Sequence, residues 1–146
     1  MPTFDSIREE HRDWDPAYSA DWPRPTQEEL DRIQSEFNVK YPDDFVAFQL
    51  SGCHTTPMGE FAWDNFGWAE PTRGPMENLK TIVSDAQFIG VPNTLAPFKQ
   101  DNGDYFCCTD TGGVVIWDHN SNMIEQDHRF QWESFTDWLA HSFDEP

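Results

Sequence analysis

Positive charge is what this chain most lacks. Nine Lys plus Arg stand against 27 Asp plus Glu in 146 residues, a formal net charge of −18. Nucleic acid is therefore a poor direct partner, because phosphate binding rests on Lys and Arg displacing counterions. An anionic membrane surface is disfavoured on the same ground. No apolar run is long enough to span a bilayer, and Met1-Pro-Thr-Phe-Asp-Ser-Ile-Arg-Glu-Glu10 is polar where an export signal would be apolar. These two absences point to the cytoplasm. Cysteine is scarce as well: Cys53 stands alone after a Ser-Gly turn, and Cys107 and Cys108 are neighbours whose side chains point apart on a strand. No CxxC spacing occurs, so a disulfide framework, a zinc knuckle and a redox motif all lose their basis. The thiols read as small buried hydrophobes.

Aromatic residues, by contrast, are abundant, with seven Trp and twelve Phe, so much of the core volume should be ring. The densest stretch runs from Leu95 to His119. Asn102-Gly103 is a strong hairpin signal, since both residues tolerate the positive φ of a type I′ turn. Gly112-Gly113 supplies the next reversal. The stretch reads as an antiparallel meander of Leu95–Gln100, Asp104–Thr109 and Val114–His119, with Met123–Asp127 as a fourth strand. Phe106 and Cys108 share one face and Tyr105 and Cys107 the other, so both faces are apolar. Either both are covered or one awaits a partner.

Thr26-Gln-Glu-Glu29 is a capping-box pattern, and Leu30, Ile33 and Phe37 make one helical stripe behind it. Pro42 with Asp43 and Asp44 opens a second helix, with Phe45, Phe48 and Gln49 on its buried side. Glu77–Phe88 carries Leu79, Ile82, Val83 and Phe88 and fits a helix and a strand equally well. Ser134-Phe-Thr-Asp137 caps a closing helix with Phe135, Trp138, Leu139 and Phe143 as its stripe. Residues 1–25, rich in Trp, Pro and Asp, form an arm expected to pack on the domain, and residues 26–146 form the domain itself. Residues 53–75 suggest one or two strands around Phe61, Trp63, Phe66 and Trp68. Helices first, a meander and a final helix imply an α+β fold with an antiparallel-rich sheet.

A search for chemistry finds little. Asp118-His119 and Asp127-His128 are strand or turn neighbours whose side chains diverge, so neither pair is a preformed base and orienter. HExxH, Gly-x-Ser-x-Gly and Gly-rich phosphate loops do not occur in the sequence. Cys53-His54 offers a thiol beside an imidazole, with a small-residue loop as the plainer reading. Asp118, His119 and His128 offer the only metal reading, on unspecific spacing, and no cofactor is called for. Asp101-Asn-Gly-Asp104 lacks the length and terminal Glu of a calcium loop.

In order along the chain, Tyr41-Pro-Asp-Asp-Phe-Val-Ala-Phe48, Ala96-Pro-Phe-Lys-Gln-Asp-Asn-Gly-Asp-Tyr-Phe106 with Val114-Val-Ile-Trp-Asp-His119, and Ser134-Phe-Thr-Asp-Trp-Leu139 resemble the SUKH superfamily. Its members include bacterial toxin-immunity proteins and cell-wall-synthesis regulators. The resemblance implies a single SUKH-like domain that binds and does not catalyse. On that footing the expected role is an immunity protein that occludes the active site of a cognate basic toxin domain, a nuclease or deaminase. The expected contacts are Asp101, Asp104, Asp110 and Asp118, with Trp117 or Trp63 as an aromatic anchor. The alternative is a non-catalytic regulatory or ligand-binding module of the same fold.

Overall fold

The computed structural model describes residues 26–51 and 75–144. They form α1 (Gln27–Phe37), α2 (Asp43–Ser51), α3 (Pro75–Phe88), β1 (Ala96–Asp101), β2 (Asp104–Cys108), β3 (Val114–Asp118), β4 (Met123–Ile124), a 3-10 turn (His128–Phe130) and α4 (Phe135–Asp144). The expected arm, the Cys53-His54 pair, Trp63 and the strands expected around it lie outside the described residues.

Local signals start and stop the helices. The Glu29 N–H donates to Thr26 Oγ1 at 3.1 Å while Glu29 Oε1 accepts from the Thr26 N–H at 3.1 Å, closing the capping box. Leu30 and Ile33 are buried, and Asn38 ends α1 in the left-handed conformation at φ +54°. On α2, Phe45, Phe48 and Gln49 face the core as their spacing predicts. The segment left open between helix and strand is helical, and Pro75 is its first residue, where a missing N–H costs nothing.

The four strands pair in sequence order, each antiparallel to the next. Asn102 and Gly103 both take positive φ, +52° and +91°, as a type I′ turn requires. β4 is shorter than the sequence implies, only Met123–Ile124, because Asp127 leaves the sheet to cap the 3-10 turn through the Arg129 N–H. An isolated bridge between Val114 and Trp132 continues the edge that β4 leaves.

Both sheet faces are covered. On one, Phe98, Cys108 and Val114 join Leu30, Phe45, Phe48, Phe135 and Trp138 in one buried cluster. Phe98 is its centre, with ring centroids 5.5 Å from Phe45, 5.4 Å from Phe135 and 5.1 Å from Trp138. On the other, Tyr105, Cys107 and Trp117 join Ile82, Ala86, Val91 and Leu95. α3 serves both: Leu79 and Val83 enter the first cluster, Ile82 and Ala86 the second. Each pair is spaced i, i+4, so two adjacent rows of one helix reach two layers. Among the described residues, Lys99 is the charged side chain buried with the apolar groups. It is 3% exposed, with its Nζ 5.3 Å from the Phe106 centroid and 5.6 Å from that of Trp138. Ring quadrupoles there meet part of the ammonium's need for negative potential.

Candidate functional site

In a meander, alternate turns share an end. The β1–β2 and β3–β4 turns therefore lie together, and the β2–β3 turn lies opposite them. Asp104 and Asp118 come together at the first end, and Asp101 pairs with Asp104 across the hairpin. Asp110 is at the other end. The four expected acidic contacts thus divide into a group of three and one distant residue.

Asp104 and Asp118 are fixed by hydrogen bonds. Asp104 Oδ1 accepts from the His119 backbone N–H at 3.0 Å, and His119 Nδ1 lies 2.6 Å from the same oxygen. The imidazole rests on Gly103, where an added Cβ would come within 2.9 Å of His119 Cε1. Asp118 Oδ1 accepts from the Asn120 N–H at 2.8 Å, and its carbonyl from Asn122 N–H at 2.8 Å. The Asn120 bond chiefly, with Ser121 and the nearby His119 adding, holds the Asp118 carboxyl below the usual range. His119 therefore pairs with Asp104, fifteen residues away, and not with its neighbour Asp118. Strand register makes that pairing: Tyr105 opposite Trp117 brings Asp104 towards Asp118 and Gly103 towards His119.

Asp104, Asp118 and His119 each offer a ligand atom, and these lie within 4.8 Å of one another. Two carboxylates and an imidazole suit a divalent cation in kind. The closeness has a local cause, however, since Asp104 Oδ1 and Asp118 Oδ1 already accept bonds from the His119 and Asn120 N–H groups. His128, named with this group in the sequence, is not part of it. Beside it, Asp127 accepts from Arg129 Nη2 at 2.6 Å and from Nε at 3.1 Å, and is pushed down to about 2 by those bonds.

Asp110 lines a cleft of about 220 Å³ between the α1–α2 link and the β2–β3 turn, with Asn38, Lys40, Pro42, Asn93 and Thr109. Trp117 is only 9% exposed and packs with Cys107 and Tyr105, so its ring belongs to the core. Cys107 and Cys108 are buried on opposite faces, and burial raises both thiols well above their ordinary value.

One connecting residue is not legible in the sequence. Asp44 Oδ2 accepts from the Thr136 N–H at 2.9 Å and from its hydroxyl at 2.8 Å, joining α2 to the start of α4. Both residues sit in cap-like patterns, but nothing local marks a bond across 92 positions. Phe88, one of the four apolar residues that mark Glu77–Phe88 in the sequence, is not on the buried side of α3. Phe88 faces solvent, together with the neighbouring Ile89 and, on β4, Met123.

The comparisons with known proteins agree with this architecture. A family model, SUKH_5, described as SMI1-KNR4 cell-wall, matches residues 4–144. No curated protein matches the chain. A crystal structure of a protein from Pseudomonas syringae pv. tomato is similar with a TM-score of 0.68 and 20% identity, covering 92% of this chain and 94% of that one. That likeness shows the fold. No helix among the described residues is long and apolar enough to cross a membrane.

Proposed function

Because the chain belongs to the SMI1-KNR4 cell-wall family, we infer that it is a cytoplasmic immunity protein, acting by binding and without catalysis. Its target is a cognate basic toxin domain, a nuclease or deaminase whose active site it occludes. The observation that carries this reading is the pairing of a −18 charge with acidic groups held rigidly at one end of the sheet. Carboxylates fixed in place present negative charge to a cationic cleft much as substrate phosphates do, and a strong field of one sign steers encounter. Asp101, Asp104 and Asp118 are the contacts at that end, and the −18 field acts over the rest of the surface.

Co-expression with the toxin domain encoded by the adjacent reading frame tests the reading. Relief of growth arrest is expected, and reversing Asp101, Asp104 and Asp118 to Lys together is expected to abolish it. Arrest that the intact protein does not relieve would reject the immunity role. Relief that survives the triple reversal would move the contact elsewhere on the molecule. A regulatory or ligand-binding role draws its support from the polar cleft around Asp110. If that role holds, Asp110→Lys disturbs function and the triple reversal does not.

A further inference from the structure

A single exposed apolar side chain is ordinary, whereas several gathered at one place with a polar surround mark an interaction surface. Phe88 is 91% exposed, on the last turn of α3. Nine residues separate it from Leu79, which at 100° per residue turns it to the opposite side of the helix. Its outward position is built in, because the helix end is closed by a Schellman motif. The Val91 N–H donates to Ala86 O at 3.0 Å and the Gly90 N–H to Gln87 O at 3.1 Å, with Gly90 at φ +110°. Val91 and Ala86 are both buried in the second cluster, which anchors the motif. The ring therefore projects from a fixed base, and docking it costs little ordering entropy.

The surroundings are acidic and include further apolar surface. Asp85, exposed one turn earlier, lies on the same side of α3 as Phe88. No basic residue occupies the last turn of α3, so the negative end of its dipole stands uncompensated there. Gly90 approaches the Asn122 side chain, 3.9 Å from the position of an added Cβ. The helix end thus abuts the β3–β4 turn, whose base carries Asp118 and which leads into Met123, 53% exposed. Ile89, next to Phe88 in the chain, is 38% exposed.

We propose that this corner, with Phe88 as anchor, Asp85 on the same side of α3 and Asp118 and Asp104 at the adjoining turn, is the surface that docks a basic protein partner through an apolar pocket ringed by Lys and Arg. The partner is the toxin domain of the preceding reading, on which this inference rests. A central ring within a charged surround is the usual arrangement of a binding hot spot. Charge complementarity selects a basic surface over a second copy of this chain, since two copies would bring like charges together.

Calorimetric titration of the full-length protein against an inactivated form of the toxin domain from the adjacent reading frame tests it. Phe88→Ala is expected to weaken the complex about 30-fold or more. Met123→Ser weakens it by a smaller factor, and Asp85→Lys lowers the association rate. Both apolar variants should keep the native circular dichroism spectrum, because neither side chain belongs to the core. Affinity within about threefold of the intact protein for both apolar variants would overturn this surface while leaving the immunity role standing. If the intact protein fails to bind, the immunity role itself falls and this surface with it. Sedimentation that shows a Phe88-dependent dimer, with toxin binding undisturbed, would assign the corner to self-association and overturn the proposal.

Discussion

Phe98 meets the rings of Phe45, Phe135 and Trp138, all from helices packed on its face of the sheet. Truncating it removes ring contacts with two helices, α2 and α4, at once. Phe98→Ala is expected to cost about 3–5 kcal/mol in urea unfolding, at the high end for a single core change. Three buried acids make alkaline stability a second test at this scale. Tyr41 is raised by burial, with Cys108 and Cys107 adding to it, and its hydroxyl donates to the Pro97 carbonyl. Both thiols are raised by burial as well. In each case the folded value exceeds the unfolded one, so their contribution is complete below the thiol's ordinary value of 9.0 and is lost as pH rises beyond it. Stability should fall above about pH 9, with a slope approaching roughly 1.4 kcal/mol per pH unit for each group released. Cys107→Ala together with Cys108→Ala should flatten that fall. A flat profile in the intact protein would show that these groups are not held neutral by the fold. Native Cys107 and Cys108 are also expected to resist alkylation and to react only on unfolding.

Element ends carry the next tests. Gly103 combines φ +91° with an imidazole 2.9 Å from where a Cβ would sit. Gly103→Ala is expected to destabilise by about 1–2 kcal/mol from the left-handed backbone alone. It should also displace His119 from Asp104, read as a change in the His119 ring resonances. Asp44→Ala leaves two Thr136 donors without their acceptor and should cost about 1–3 kcal/mol. The helices were legible where the chain writes its own caps: the Thr26 box, the proline-led α2 and the Ser134 start of α4 rest on bonds within a few residues. The Asn102-Gly103 hairpin was legible for the same reason. α3 was not, because its apolar residues fit a helix and a strand alike, and nothing local marks Ala86 as buried and Phe88 as exposed. The fourth strand was read too long because Asp127 acts as a cap only once Arg129 folds back on it.

Across the whole molecule, charge and register decide what the candidate site can do. The acidic balance and the turn residues Asp101, Asp104 and Asp118 could be read directly. Their gathering at one end, and the separation of Asp110 from them, followed only from strand order. The Asp104–His119 pair needed the β2–β3 register, and the corner around Phe88 needed the three-dimensional meeting of Gly90 with Asn122. A net charge of −18 acting on a cationic partner should make association fall on the order of tenfold or more as salt is raised from about 0.02 M to about 0.5 M. An association rate indifferent to salt would remove steering from the account.

Occlusion is the central claim, and the activity of the purified toxin domain under rising concentrations of this protein tests it most directly. The account predicts activity falling towards zero, with inhibition relieved competitively by excess substrate. Full activity at saturating protein, or a complex that forms while the active site keeps working, would contradict it.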